Sequence, residues 1–329
     1  MPKEEPAPRT PKEEDGDGWK SWVRDIAIAV LIMAVILGAI YAYTGVWPPL
    51  VVVESDSMQH SATTSYVGVI DTGDLVFVQA APTRADVVTY VQGRATGYAT
   101  YGDYGDVIIF RLFNRPQDTP IIHRAILYVI PNGTSTADVP DLGRLPPQDW
   151  VGTDAAGRST HVPYHLESVE IFDMGYRHLN VTFVFSDVAQ FFFRGPGYVT
   201  MGDHNAPTYD IGWFPIQGDI IGHARGEIPW FGLIKLLLSP SPNCCQGWGD
   251  PRAPANSWTN LALSIAFLIA LPFILEALGW VWGKYAWPRL RPLLRRRAKP
   301  ERPEEPEAPP EDLSDEDTED EPKEGSSGP

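Results

Sequence analysis

Only two of the 329 residues are cysteines, Cys244 and Cys245, and they are neighbours. Across a trans peptide their Cα atoms lie ~3.8 Å apart, short of the usual disulfide separation. A disulfide framework is therefore not expected, and no further Cys or His stands nearby at ligand spacing to make a metal site. Lysine is equally scarce, seven against nineteen arginines, beside 42 acidic residues. The net charge of −16 and pI near 4.8 exclude the basic face that binding nucleic acid requires. An acidic, lysine-poor surface suits a salt-rich cytoplasm or medium, where dense carboxylates keep the chain hydrated, so a halophilic source is expected.

Long hydrophobic runs are confined to two places. Ile26 to Tyr43 is eighteen residues without a charge, ~27 Å as a helix and enough for a hydrocarbon core. Trp22 before it and Tyr41, Tyr43 and Trp47 after it suit the two interfaces. The run is too long for a cleaved leader and no A-x-A site follows, so residues 22–46 are expected to be an uncleaved anchor ended by Pro48 and Pro49. The second run, Leu261 to Trp282, places a second span over 259–283, with a kinking Pro272 and an ionisable Glu276. Residues 1–21 and 284–329 have almost nothing to bury and read as disordered tails, the latter basic and then acidic. Eight cations fall between Lys284 and Arg302, and Lys3, Arg9, Lys12, Lys20 and Arg24 precede or open the first run. The part between the runs holds one lysine, Lys235. Positive residues on both tails predict cytoplasmic termini, with residues 47–258 on the outer side.

That central part is rich in β-branched runs punctuated by Gly, Pro, Asn and Asp, so the fold class is mainly β. Strands are expected at Leu50–Val53, twice within Val67–Val78 around an Asp-Thr-Gly-Asp turn, and at Val87–Val91. Val107–Phe113, Ile121–Ile130, Val181–Phe185, Gly197–Met201 and Asp219–Gly222 complete the set. Residues 131–195 form a polar, turn-rich insertion with an aromatic end at Phe191–Phe193. Ile228–Leu238 is apolar but too short to span, which leaves an interfacial segment or a core segment.

The stretch LVVVESDSMQH, Leu50 to His60, breaks from an apolar strand into Ser55, Asp56 and Ser57, close beyond the first anchor. The commonest use of such residues is a turn. A serine there can also be a nucleophile, provided a neighbour takes its proton. Lys235, in an apolar stretch, supports a Ser/Lys pair poorly. His123, inside an apolar strand, has a rigid mount suited to a base, although a lone strand histidine is more often structural. His161, His165 and His178 read as surface residues of the insertion. A histidine base needs an acceptor for its other ring nitrogen, and YVTMGDHNAPTYD, Tyr198 to Asp210, offers Asp203 and Asp210.

Ser55-x-Ser57-Met58, Gly73-Asp74-Leu75-Val76, His123-Arg124, Gly202-Asp203-x-Asn205 followed by Asp210, and Ile228-Pro229-Trp230-Phe231-Gly232 occur in that order. Together they resemble the type I signal peptidases in their archaeal and endoplasmic-reticulum form, where histidine stands in place of the bacterial lysine. The resemblance covers residues 47 to about 240 apart from the insertion. It implies a signal-peptidase-like β domain outside the membrane, with Ser57 as nucleophile and His123 as general base. Asp210 matches the catalytic aspartate, and Asp203 either shares that role or holds the site's structure. Ser55, with the backbone N–H of Ser57, would line the oxyanion hole. His60 stands where the family often has proline and His204 where asparagine is common, leaving either open as a second base. The implied substrates are secretory preproteins with small residues before the cleavage site, selected by shallow apolar pockets near Met58. The lipid bilayer and the protein-translocation channel are the implied partners, and no metal or organic cofactor is required. Two alternatives remain open at this point. One is a non-catalytic protein of the same fold that binds the translocation machinery. The other is a peptidase for specialised surface precursors.

Overall fold

A computed structural model describes residues 18–286, and the expectations for the tails beyond them lie outside the described residues. Helix α1, Gly18–Thr44, exposes Leu31, Met33 and Val35 along its apolar run. It begins ahead of the uncharged run that opens at Ile26. It is one of two helices long and apolar enough to cross a membrane.

The body is an antiparallel sheet. Strand β1, Leu50–Val52, pairs with β2, Leu75–Ala80, in the register Val51↔Val76. Residues 67–74 make turns where an earlier strand is expected, because Gly68 and Gly73 hold positive φ. Helix α2, Tyr90–Thr96, replaces the strand expected over Val87–Val91. The reason is local: the Thr89 hydroxyl accepts from the Gln92 N–H and the Gln92 side chain accepts from the Thr89 N–H, a reciprocal cap. A short hairpin follows, β3 at Ala99–Thr100 and β4 at Asp103–Tyr104, then β5, Val107–Phe110.

Strand β6, Ile121–Pro131, leads from the body into the insertion. There β7 (Ala137–Asp138), β8 (Trp150–Asp154), β9 (Ser159–Thr160), β10 (Leu166–Met174) and β11 (Leu179–Val184) build a region whose core is continuous with the body's through Tyr90, Ile126, Val129, Val199 and Tyr209. Trp150, Leu166, Ile171, Phe183 and Phe185 are buried in it. The chain returns through β12, Gly197–Met201, which pairs with β6, and β13, Ile220–Ile228, which lies between β2 and β5. The sheet order is β1-β2-β13-β5-β6-β7-β10-β8-β9, with β11 on β10 and β12 on β6. The architecture is thus mainly antiparallel β with an apolar helix at each end, consistent with the signal-peptidase-like fold expected.

Helix α3, Gly232–Leu238, buries Leu233 and Leu236 beside Trp258 and Leu261 at the start of α4, Ala255–Val281. The core reading of Ile228–Leu238 holds for that face, while Leu238 is exposed. Cys244 and Cys245 correct the expectation drawn from a trans peptide. The bond between them is cis, their Cα atoms are 3.2 Å apart, and the two sulfurs are joined as a disulfide between neighbours. Among the described residues, those from Leu268 to Ala286 belong to a separate unit, in which α4 continues past Pro272 with Phe273, Leu275 and Trp280 exposed. It ends in a wider turn over Trp282–Ala286, where the Lys284 ammonium stands 4.6 Å from the Trp280 ring centre.

Candidate active site

Backbone pairing carries β1 one residue further, as the Val53 N–H donates to Asp74 O at 3.0 Å and the Gly73 N–H to Val53 O at 2.9 Å. The chain then turns, with the Gln59 N–H donating to Asp56 O at 3.0 Å. Met58 drops into the core among Val53, Ile70, Val76 and Ile109. Burial of that one side chain anchors a turn that is otherwise polar, and it contributes roughly 1.5–3 kcal/mol. The turn is held from the far side too, where the His204 N–H donates to Ser57 O at 2.9 Å. Gly202 permits this approach: a Cβ there would stand 2.4 Å from Ser57 O and 3.0 Å from Ser57 Cβ. The two sequence motifs therefore meet because one of them has no side chain at the contact.

His123 lies on β6 opposite Ile108 and is 6% exposed. Its Nδ1 stands 2.6 Å from Asp210 Oδ2, and since a carboxylate only accepts, Nδ1 is the donor. Asp210 is itself placed by β12: its N–H donates to Thr200 O at 3.0 Å and the Thr200 hydroxyl donates to Oδ2 at 2.6 Å. Ser55 Oγ and Ser57 Oγ are 3.2 Å apart. All four residues, Ser55, Ser57, His123 and Asp210, line one cleft of about 430 Å³. Its apolar walls include Val52, Met58, Ile122 and Trp213, with Asn205 and Asn243 at polar points. Among the described residues Ser57 Oγ bonds to Ser55 rather than to His123.

Asp203 is not in this cleft. It is buried, 4% exposed, and takes a bidentate pair from Arg124, Nε to Oδ1 at 2.8 Å and Nη2 to Oδ2 at 2.6 Å. Burial alone would raise the Asp203 carboxyl, yet the Arg124 guanidinium outweighs it and holds the group below the usual carboxylate range. His60 Nε2 donates to the same carboxylate at 3.1 Å. Arg124 also donates from Nη1 to the carbonyls of Thr100, Asp103, Tyr104 and Gly105, at 3.0–3.2 Å, so it ties the β3–β4 hairpin to Asp203. His60 thus contacts Asp203 instead of the cleft, and His204 Nδ1 donates to Gln59 O at 3.2 Å. Neither histidine lines the cleft with Ser57. Lys235 pairs with Glu54, which leaves it committed elsewhere than a Ser/Lys dyad. His161, His165 and His178 are exposed, as read from the sequence. Sequence reasoning gave no role to Arg124, Thr200 or Trp213. The signal for Arg124 was present, a cation inside an apolar strand, which demands a buried partner.

No protein-family model matches the chain. The signal peptidase complex catalytic subunit SEC11 of Ajellomyces dermatitidis (strain ER-3 / ATCC MYA-2586) is 26% identical to it over 200 residues, 61% of this chain and 71% of that one. The subunit of the same name from Blastomyces gilchristii (strain SLH14081) is 25% identical over 200 residues, with the same shares. This distant relationship supports a type I signal-peptidase-like family, and with the two apolar helices it supports association with a membrane.

Proposed function

We propose that this chain is a membrane-anchored serine endopeptidase that removes N-terminal signal peptides from translocated preproteins. The observation that carries the reading is the shared cleft of Ser57, His123 and Asp210, with Asp210 on the histidine's Nδ1. That contact leaves Nε2 as the nitrogen free to serve Ser57. Ser57 Oγ attacks the scissile carbonyl carbon while His123 Nε2 takes its proton. The C–N bond breaks as the same proton passes to the leaving amine. Water then gives a proton to His123 and its hydroxide to the ester carbon, which releases the signal peptide's new carboxylate and restores Ser57. The Ser57 N–H and the Ser55 hydroxyl are suited to the oxyanion. Small residues before the cleaved bond fit shallow walls formed by Met58 and Ile122.

In this reading α1 and α4 both span the bilayer, both termini are cytoplasmic, and the β body works outside. A preprotein's own apolar segment shares that bilayer, which raises the effective concentration of substrate at the cleft. The translocation channel is the neighbour from which such substrates emerge. The acidic, lysine-poor composition fits work in concentrated salt. The test is cleavage of a secretory precursor by the detergent-solubilised protein in high salt, with sequencing of the product's N-terminus. A new terminus after a small-x-small site, lost in Ser57→Ala, is expected. Failure of the wild type to cleave would overturn the reading.

A further inference from the structure

The hairpin between β10 and β11 reaches the back of the cleft's two loops. Its tip folds sharply, with positive φ at Asp173, Gly175 and His178. From it the Tyr176 ring stacks on His60, centroids 3.9 Å apart and planes inclined by 13°. The Tyr176 hydroxyl stands 3.5 Å from Gln59 O. Arg177 Nη1 donates to Ala206 O at 2.8 Å and to His204 O at 3.2 Å. Gln59 and His60 continue the turn that bears Ser57, and residues 204–206 lie between Asp203 and Asp210. One hairpin of the insertion therefore grips both loops from which the cleft is assembled. The loops are also joined to each other through His204 Nδ1 and Gln59 O, and through His60 and Asp203.

The insertion is already joined to the body by a shared core, in which Trp150, Leu166, Ile171 and Phe183 pack with Ile126, Val199, Ala206 and Tyr209. To that core the tip adds a tyrosine and an arginine set on loops of the body. Their targets are main-chain carbonyls and a ring face, contacts that fix where a loop sits rather than its charge. His60 serves the same end, since its ring is held by Tyr176 on its face and by Asp203 at Nε2.

We propose that Tyr176 and Arg177 are positioning residues: through them the insertion holds the 55–60 and 203–210 loops in register and so aligns Ser57 with His123 and Asp210. The proposal rests on the peptidase reading for its kinetic consequence, though not for its structural one. Displacement of a reacting group by about an ångström costs on the order of a hundredfold in rate, so loosened loops are felt in kcat.

The experiment compares full-length wild type with Tyr176→Ala, Tyr176→Phe, Arg177→Ala, His60→Ala and the Tyr176→Ala/His60→Ala double variant, on one secretory precursor. Tyr176→Ala is expected to lower kcat by about tenfold or more with KM and melting temperature near wild type. Tyr176→Phe keeps the stacked face and is expected to restore most of the rate. In the His60→Ala background, Tyr176→Ala is expected to add nothing, because the stack is already gone. Additive losses, an unrestored rate in Tyr176→Phe, or an unchanged kcat in Tyr176→Ala would each overturn the proposal. Hydrogen exchange gives a readout that needs no activity: peptides covering 55–60 and 203–207 should exchange faster in Tyr176→Ala and Arg177→Ala, while β6 stays protected. Unchanged exchange in both peptides refutes the positioning role. If wild type cleaves nothing, or Ser57→Ala cleaves as well as wild type, the peptidase reading fails instead, and exchange alone decides the role of the hairpin.

Discussion

Asp210, in the loop that follows β12, and His123, on β6, face each other, Oδ2 to Nδ1 at 2.6 Å, and both are buried. The Thr200 hydroxyl donates to the same oxygen at 2.6 Å, so the carboxylate is itself held before it holds the ring. An imidazole held in this way keeps one tautomer and one direction.

Ser57→Ala and His123→Ala should each reduce precursor cleavage by about a thousandfold or more, since residues acting as one unit fail together. The double variant should be no worse than either single one. Circular dichroism should show the β body unchanged. A His123→Ala protein with near-normal cleavage would remove the base from the mechanism.

The two aspartates should separate by the kind of damage they cause. Asp210→Ala leaves the ring without its acceptor and should lower kcat while the melting temperature holds. Asp203→Asn leaves Arg124 buried, 1% exposed, with its ion pair lost, and that costs roughly 3–5 kcal/mol of stability. Thermal melts beside kinetics check this. A stable Asp203→Asn protein that has lost only kcat would exchange the two roles.

The ease of reading these residues from the chain differs for physical reasons. Ile121–Ile130, apolar apart from His123 and Arg124 and largely buried, and Gly197–Met201, buried throughout, are strands where the pattern puts them. Val87–Val91 has the same look, but the Thr89–Gln92 cap decides for a helix, and a cap is a hydrogen bond rather than a hydropathy pattern. In the insertion, β8 and β10 alternate buried and half-exposed residues and so read as polar turns. The cleft's Ser57, Ser55, His123 and Asp210 were all nameable from ordered motifs. Whether Asp203 or Asp210 faces the histidine was not, because that depends on Arg124 having taken Asp203 first. Tyr176 was out of reach, as it belongs to no recognisable pattern and its partner His60, beside the Ser57 motif, is over a hundred residues away.

Orientation is checked with sealed vesicles. Added from the side the β body faces, protease should cut exposed loops of the insertion, around Ala155–Arg158 and His161–Tyr164. An epitope tag at either terminus should survive until detergent opens the vesicle. Loss of either tag in sealed vesicles would reverse the topology.

Stability should fall as pH rises from about 4 to about 7. Asp71 is 1% exposed and neither of its carboxyl oxygens has a hydrogen-bond partner. Burial pushes it from 3.8 up to about 6, against smaller opposing effects of Ser65 and His60. Glu227, which accepts from the Gly68 N–H, is pushed from 4.5 up to about 7, again by burial and further by Asp71. Asp74 lies against both and is raised for the same reasons, despite accepting from the Trp230 and Asp71 N–H groups. Below the unfolded values these carboxyls are protonated in both states and favour neither. Between the unfolded and folded values the native state binds more protons than the unfolded one, so each step up in pH favours unfolding. Above the folded values the full penalty stands, for Asp71 at most about 3 kcal/mol from a shift of this size. Asp106 acts in the opposite sense and lower down: despite burial, His223, Arg225, Tyr98 and the Val88 N–H hold it at about 2, and its contribution is lost only in stronger acid. Asp71→Asn should therefore flatten the decline between pH 4 and 7 and leave the acid limb in place. Denaturant melts of wild type and variant across that range measure the two slopes, and equal slopes would mean that Asp71 ionises in the native state as it does in the unfolded chain.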